Sequence, residues 1–240
     1  MIPGNRRPEY EGEHTLSTGC QLDGGRVFSD ELVVLDFETT GLSPTRGDRI
    51  TEVAAVRVKA GRIAGRYQSL ANCGVRVPPF ITAYTGITQA MVNRAPPVHR
   101  VIRELLEFMG ETATVAHNAS FDQRFLDSEC ERANFRRGGL PLICSMRVSR
   151  RIYPEFRSHA LEALALRLNI SYRGSAHRAG ADAEVAANVV IEIGRALRVR
   201  RGGLVPDSHL LRQIMKMPVA RATELLDRGA GGDRRRSGIE

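Results

Sequence analysis

A chain of 240 residues, 42% of them apolar, is long enough to bury a substantial core, and it fits one domain of ordinary size. The formal charge of +8 suggests a polyanionic partner, and the four cysteines have no CxxC spacing that would indicate a zinc site or a disulfide framework. No apolar run approaches the ~18 residues of a membrane span and no signal-peptide segment opens the chain, so we expect a cytoplasmic protein without a membrane partner.

Composition divides the chain into three parts. Residues 1–28 are rich in turn formers without a period, which predicts a flexible N-terminal extension, and residues 29–199 form the predicted domain. Residues 200–240 read as a basic C-terminal tail with at most one short helix, in an amphipathic stretch at 208–226 that Pro218 interrupts. That helix either binds a partner or packs back on the domain.

The most informative segment is the apolar, β-branched run at residues 32–41, which predicts a buried strand. Alternation along a strand places Asp36 and Glu38 on the same face. Two partly desolvated carboxylates this close need a proton or a cation to neutralise them, and a hard divalent cation with oxygen ligands does so. The alternative is that the strand ends here and both carboxylates are solvated.

The next segments follow from the same periodicities. The predicted elements are strands at 50–58 and 66–73 joined through a turn at Gly61, a short helix at 88–92, and a helix at 98–109 ended by Gly110. Because the connections between the first three strands are short, we expect those strands to be antiparallel neighbours. The prolines at 78 and 79 end that section of the sheet.

A short buried strand at 112–116 leads directly to His117. Ser120 followed by Gln123 has the spacing of a capping box, so a helix is predicted to begin there. Asp122 lies beside the apolar stripe of this helix rather than on its solvent side. The alternative explanation for Asp122 is ordinary compensation of the helix dipole in the first turn.

Toward the C terminus, the sequence predicts a strand at 141–146, a polar segment at 147–158 and a helix at 161–168. His177 then precedes the last strongly periodic helix, in which Asp182 lies on the apolar stripe. An unpaired ionised carboxylate is costly on a buried face. We therefore expect a cation or hydrogen-bond donors next to Asp182.

Together these segments supply four carboxylates and one histidine, the groups that two-metal hydrolysis of a phosphodiester requires. Two cations ~4 Å apart stabilise the attacking and leaving oxygens, and a histidine near neutrality can take the proton of the attacking water. The predicted set is Asp36, Glu38, Asp122, Asp182 and His177.

Three segments resemble the exonuclease motifs of the DEDD 3′–5′ exonucleases, histidine subtype. They are VLDFETTG at 34–41, HNASFD at 117–122 and HRAGADA at 177–183, with further similarity at 49–54 and 86–88. The resemblance covers roughly residues 30 to 198. Within the family the chain is most similar to the epsilon-type proofreading subunits of bacterial replicative DNA polymerases.

The resemblance implies a ribonuclease H-like α/β fold, with a mixed five-stranded sheet and helices on both faces. It implies that two Mg²⁺ or Mn²⁺ ions are held by Asp36, Glu38, Asp122 and Asp182. His177 is the implied general base. The sister subtype uses a tyrosine closer to the last acid, and Tyr172 is too far upstream for that role.

The resemblance also implies which residues border the terminal nucleotide. These are the segment Thr39, Thr40, Gly41 and Leu42, together with Phe121, His117 and Asn118. Phe121 has the alternative role of a core aromatic, and His117 and Asn118 the alternative role of orienting the motif.

The expected activity is metal-dependent 3′–5′ hydrolysis at DNA 3′ ends, single-stranded or frayed, with release of 5′-mononucleotides in proofreading or repair. The expected partners are a nucleic acid 3′ end and a DNA polymerase subunit. One alternative is an exoribonuclease acting on RNA tails or short oligoribonucleotides. The other is an adaptor that binds a polymerase without catalysis.

Overall fold

The computed structural model describes residues 26–136, 138, 140–172 and 177–231, the last five without their side chains. Five strands form one sheet: β1 Leu32–Thr39, β2 Ile50–Lys59, β3 Arg62–Leu70, β4 Ala113–Ala116 and β5 Ile143–Cys144. Their order is β3-β2-β1-β4-β5; β2 is antiparallel to β1 and β3, whereas β4 is parallel to β1 and β5. The predicted mixed five-stranded sheet is confirmed.

The helices in this part of the chain cover the sheet. They are α1 Pro79–Thr85, α2 Gln89–Arg94, α3 Val98–Met109, α4 Ser120–Arg132, α5 Ser145–Ile152, α6 Leu161–Arg167, α7 Ala179–Arg200, α8 Ser208–Lys216 and α9 Val219–Gly231. Consecutive residues of β1, from Leu32 to Leu35, are fully buried, as expected of a central strand covered on both faces. None of the described helices combines the length and apolarity needed to cross a bilayer.

Two elements differ from prediction because of local backbone geometry. β3 begins at Arg62 rather than at residue 66, because Ala60 and Gly61 both have positive φ (51° and 82°) and close a two-residue hairpin turn. The section of the sheet ends before the proline pair, as predicted, but a helix that was not predicted begins there. Pro79 occupies the first turn of α1, where its missing amide costs no hydrogen bond.

The predicted strand at 141–146 is also shorter than expected. Only Ile143 and Cys144 pair with β4, and α5 begins at the next residue, inside the predicted strand, and extends into the predicted polar segment. The predicted capping box is absent: the residue before α4 is Ala119, without a side-chain cap. Gln123 instead donates to Asp127 and accepts the amide of residue 142.

The last two residues of the predicted N-terminal extension pack against the domain. Val27 and Phe28 are buried in the main core. A Cβ on Gly194 would come within 2.6 Å of the Phe28 ring, so α7 packs directly on this residue. Arg26 is exposed, and residues 1–25 of the predicted extension lie outside the described residues.

Two helices rather than one follow residue 200, because Pro218 separates α8 from α9. The apolar residues of α8 belong to the main core: Leu210, Leu211, Ile214 and Met215. α8 and α9 contact α5, and α9 also contacts α7. Of the two interpretations of this stretch, the helix that packs back on the domain is the one observed.

Candidate active site

Three acidic side chains meet at the carboxyl end of the central strand. Asp36 and Glu38 project from the same face of β1, and Asp182 reaches them from the first turn of α7. One carboxylate oxygen from each residue lies within 4.8 Å of the other two. The strand period and the start of α7 therefore bring together acids that are far apart in the sequence.

Asp122 lies next to this group in the first turn of α4. Its side chain is only 2% exposed, and its charge raises the pKa of Asp36. The sequence suggested that Asp182 was the acid on a buried face. In the structure Asp182 is only partly buried, whereas Asp122 is enclosed.

The electrostatics of these acids show how costly their shared charge is. Burial, followed by the charges of Asp122 and Asp182, raises the pKa of Asp36 well above its usual value. Burial raises the pKa of Glu38 to about 7 and that of Asp122 to about 8, and it also raises the pKa of Asp182. A compact group of oxygen donors that resist ionisation together fits a hard divalent cation.

His177 lies at the rim of the acidic group. Its backbone is left-handed (φ 63°), and its amide donates to Asp182 Oδ2 at 3.1 Å. The imidazole stacks on the ring of Tyr84, with ring centroids 3.9 Å apart, and its Nε2 is 3.7 Å from Glu162 Oε1. The histidine is therefore held beside the acids by contacts from three different elements.

Glu52, which was not among the predicted site residues, is buried and lies opposite Glu38 in the register of β1 and β2. Glu52 accepts hydrogen bonds from Arg178 Nε (3.0 Å) and Nη2 (2.6 Å), from the amide of Ala179 (3.1 Å) and from Gln68 Nε2 (2.9 Å). Burial alone would raise the pKa of Glu52, but the hydrogen bonds from Arg178 and Gln68 outweigh it and lower that pKa. Glu52 therefore holds the start of α7 in place. The sequence signal for this residue was an acidic side chain within an apolar strand.

Tyr172 lies closer to the acids than its place in the sequence suggested. Although it lies well upstream of Asp182 in sequence, its hydroxyl is close enough to that carboxylate for each group to influence the pKa of the other. Burial and the neighbouring acids raise the pKa of Tyr172, so the hydroxyl stays protonated.

The segment after β1 combines packed and exposed side chains. Thr39 and Thr40 are buried, and the Thr39 hydroxyl donates to the carbonyl of Gly41 at 2.6 Å. A Cβ on Gly41 would lie 2.4 Å from Asp48 Oδ1, so only glycine fits there without a shift. Leu42 is 79% exposed and is free to contact a ligand.

The three predicted residues after β4, His117, Asn118 and Phe121, differ in their contacts and burial. His117 pairs through Nδ1 with Ser145 Oγ and through Nε2 with the carbonyl of His159, both at 2.9 Å, and burial lowers its pKa to about 4. These two contacts hold the loop after β4 against α5, which agrees with the alternative that His117 orients the motif. Asn118 is exposed at φ 63°, and Phe121 is partly buried against the core.

Comparison with known proteins places this site in context. The family described as Exonuclease (RNase_T) matches residues 33–190. DNA polymerase III PolC-type of Oceanobacillus iheyensis is 37% identical over 171 residues, which are 71% of this chain and 12% of that protein. The 3′-5′ exonuclease DinG of Bacillus subtilis is 33% identical over 195 residues, which are 81% of this chain and 20% of that protein. The chain thus spans only 12% to 20% of the length of these curated relatives.

Solved structures share the fold. Exonuclease X in complex with 5′ overhanging duplex DNA superposes with a TM-score of 0.58 at 27% identity, covering 77% of this chain and 99% of that one. The nuclease domain of 3′hExo, a DEDDh family member bound to rAMP, gives a TM-score of 0.61 at 20% identity over 69% of this chain and 92% of that one, a likeness of fold alone. The chain therefore belongs to the Exonuclease (RNase_T) family and has the ribonuclease H-like fold of the DEDDh-type exonucleases.

Proposed function

We propose that this chain is a metal-dependent 3′–5′ exonuclease that hydrolyses the terminal phosphodiester bond at DNA 3′ ends and releases 5′-mononucleotides. The observation that carries the proposal is the convergence of Asp36, Glu38 and Asp182, with oxygens within 4.8 Å of one another, beside the enclosed Asp122. A strand that merely ended in solvated carboxylates would not need an acid from a helix far along the chain at the same place.

The metal ligands in this proposal are the four acids, and the ions are two Mg²⁺ or Mn²⁺. Their oxygen donors and their raised pKa values fit hard divalent cations. Such ions, when bound, acidify a water molecule and stabilise the charge of the leaving oxygen. Asp122 and Asp182 each come from the first turn of a helix, so the elements that carry them set the spacing of the ligands.

His177 is the proposed general base, which takes up the proton of the attacking water. Its position at the rim keeps the imidazole within reach of solvent, since the side chain is 34% exposed. Glu52 acts through Arg178, the residue after His177, and holds the start of α7 in place. Thr39, Thr40, Gly41, Leu42, Asn118 and Phe121 border the terminal nucleotide in this proposal, and His117 orients the loop that carries the last two.

DNA is the proposed substrate because the relatives are a DNA polymerase and the exonuclease DinG, and because Exonuclease X, 27% identical, is described in complex with DNA. Single-stranded or frayed ends suit a site whose exposed Leu42 can press against a terminal base. The same relatives support a proofreading or repair role beside a polymerase as part of this proposal. Gel filtration of the chain with candidate polymerase subunits tests that partnership.

The decisive experiment is digestion of matched DNA and RNA oligonucleotides, labelled at the 5′ end, with Mg²⁺, with Mn²⁺ and with EDTA. We expect a ladder that shortens from the 3′ end of DNA with either ion and no digestion with EDTA. Asp36→Asn and Asp182→Asn should abolish release, whereas Glu131→Gln, an exposed acid of α4, serves as the control. Unchanged digestion by Asp36→Asn would refute the assigned site.

The same assay separates the alternatives. Faster digestion of RNA than of DNA would replace the proposed substrate with RNA tails or short oligoribonucleotides, through contacts to the 2′-hydroxyl. Absence of digestion of both polymers, together with binding to a polymerase, would favour the non-catalytic adaptor.

A further inference from the structure

Helix α1, which the sequence did not predict, carries two exposed aromatic side chains. Phe80 is 67% exposed and Tyr84 is 60% exposed. Because the two are four residues apart, they are neighbours on one face of the helix. In the described part of the chain, Phe80 and Tyr84 are the two aromatic residues among the exposed large hydrophobic side chains.

The other face of α1 holds the helix to the domain. Ile81 packs on a small buried cluster formed by Cys73, Val77, Ile87 and Val92. Thr85 is buried, and its hydroxyl donates to the carbonyl of Ile81. Anchoring of α1 therefore does not require Phe80 or Tyr84, and the outward aromatic face is left available to a ligand.

The aromatic face is continuous with the candidate active site. The Tyr84 ring lies on the imidazole of His177, with centroids 3.9 Å apart. Burial and then the charges of Glu38, Glu162 and Asp182 raise the pKa of Tyr84, in agreement with this contact. Phe80 lies one helical turn farther from that contact.

We infer that the Phe80–Tyr84 face binds the bases of a single nucleic acid strand just upstream of its 3′-terminal nucleotide. This inference rests on the proposed function, because hydrolysis at the acidic group fixes where the 3′ end lies. Bases stack on exposed aromatic rings without regard to sequence, as an enzyme that removes every nucleotide in turn requires. A protein segment on the same face would cover the His177 contact and obstruct the site.

Phe80 is the better residue for a test, because Tyr84 contacts His177. The probes are the p-nitrophenyl ester of thymidine 5′-monophosphate, which has no upstream base, and a fluorescent single-stranded oligonucleotide. For Phe80→Ala we expect the KM for the oligonucleotide to rise about five- to hundredfold and hydrolysis of the ester to stay unchanged. Phe80→Trp should restore the KM, and Leu204→Ala, an exposed leucine before α8, is the matched control.

The outcomes separate the two levels of inference. If the unaltered chain hydrolyses both probes and Phe80→Ala keeps the oligonucleotide KM, the stacking inference is overturned and the proposed function stands. If Phe80→Ala slows both probes equally, Phe80 is a structural support and the inference is again wrong. If the unaltered chain hydrolyses neither probe, the proposed function fails. Anisotropy titration of the oligonucleotide in EDTA then decides the stacking: binding that Phe80→Ala weakens supports it, and unaffected or absent binding overturns it.

Discussion

Replacing Asp122 by asparagine should stabilise the metal-free protein while removing activity. Burial raises the pKa of this carboxyl from 3.8 to about 8. A carboxyl whose pKa is higher in the folded state binds more protons folded than unfolded between those two values. The contribution of Asp122 to stability therefore falls as the pH rises from about 4 to about 8. Asparagine has the same shape and cannot ionise, so this loss disappears.

The magnitude follows from the pKa difference. Each pKa unit corresponds to about 1.4 kcal/mol, so enclosing Asp122 costs roughly 4 kcal/mol at pH 7, since its unfolded pKa lies about three units below that pH. Because the charge of Asp122 also raises the pKa of Asp36, the two carboxyl groups do not both ionise at their full individual cost. We expect Asp122→Asn to raise the free energy of unfolding by about 2–4 kcal/mol at pH 7 and by little at pH 4.

Urea unfolding in EDTA at pH 4, 7 and 8.5 measures this difference. Glu131→Gln, an exposed acid on the same helix, should leave the unfolding free energy nearly unchanged at all three pH values. Addition of Mg²⁺ should stabilise the unaltered protein more than Asp122→Asn. A variant that is less stable than the parent at pH 8.5 in EDTA would refute the idea that Asp122 is held at an electrostatic cost.

Three further perturbations follow from contacts around the site. Glu52→Gln deprives Arg178 of its ionic partner, so activity should fall about 10- to 100-fold and the Mg²⁺ concentration for half-maximal activity should rise; an unaltered Mg²⁺ titration would contradict the positioning role. Arg49→Ala leaves Glu129, 3% exposed, without the guanidinium that binds it bidentately, and urea unfolding should show a loss of about 3–5 kcal/mol. His177→Ala should lower kcat about 10²- to 10⁴-fold and keep the Mg²⁺-dependent rise in Tm, because the four acids remain; loss of both would mean that the histidine is structural.

Much of the sheet could be predicted because its periodicity is strong. β1 and α3 were located nearly to the residue, since one is a continuous apolar run and the other keeps a helical stripe along its whole length. α1 and α5 were missed because each is short and begins beside residues that suggest other structures, a proline pair in one case and a strand end in the other. Their formation depends on tertiary packing more than on local preference.

The candidate site shows the same division. The four acids and His177 could be proposed from the sequence because each lies near a strand or helix end, in a pattern that indicates a chemical role. The residues around these groups could not be predicted. Glu52, Tyr84 and Tyr172 come close to the site only after strands pair and helices pack. No spacing in the sequence relates these three residues to His177.

The docking of α8 and α9 affects how shortened versions of the chain should be interpreted. These helices cover α5, whose first residue, Ser145, is hydrogen-bonded to His117. In addition, α9 contacts α7, the helix that carries Asp182. Cutting the chain at residue 200 would expose to water the apolar surface on which α8 and α9 pack. Weakened nucleic acid binding by such a truncation would then report a loosened scaffold as much as the loss of basic residues, and calorimetry should accompany every binding measurement on it.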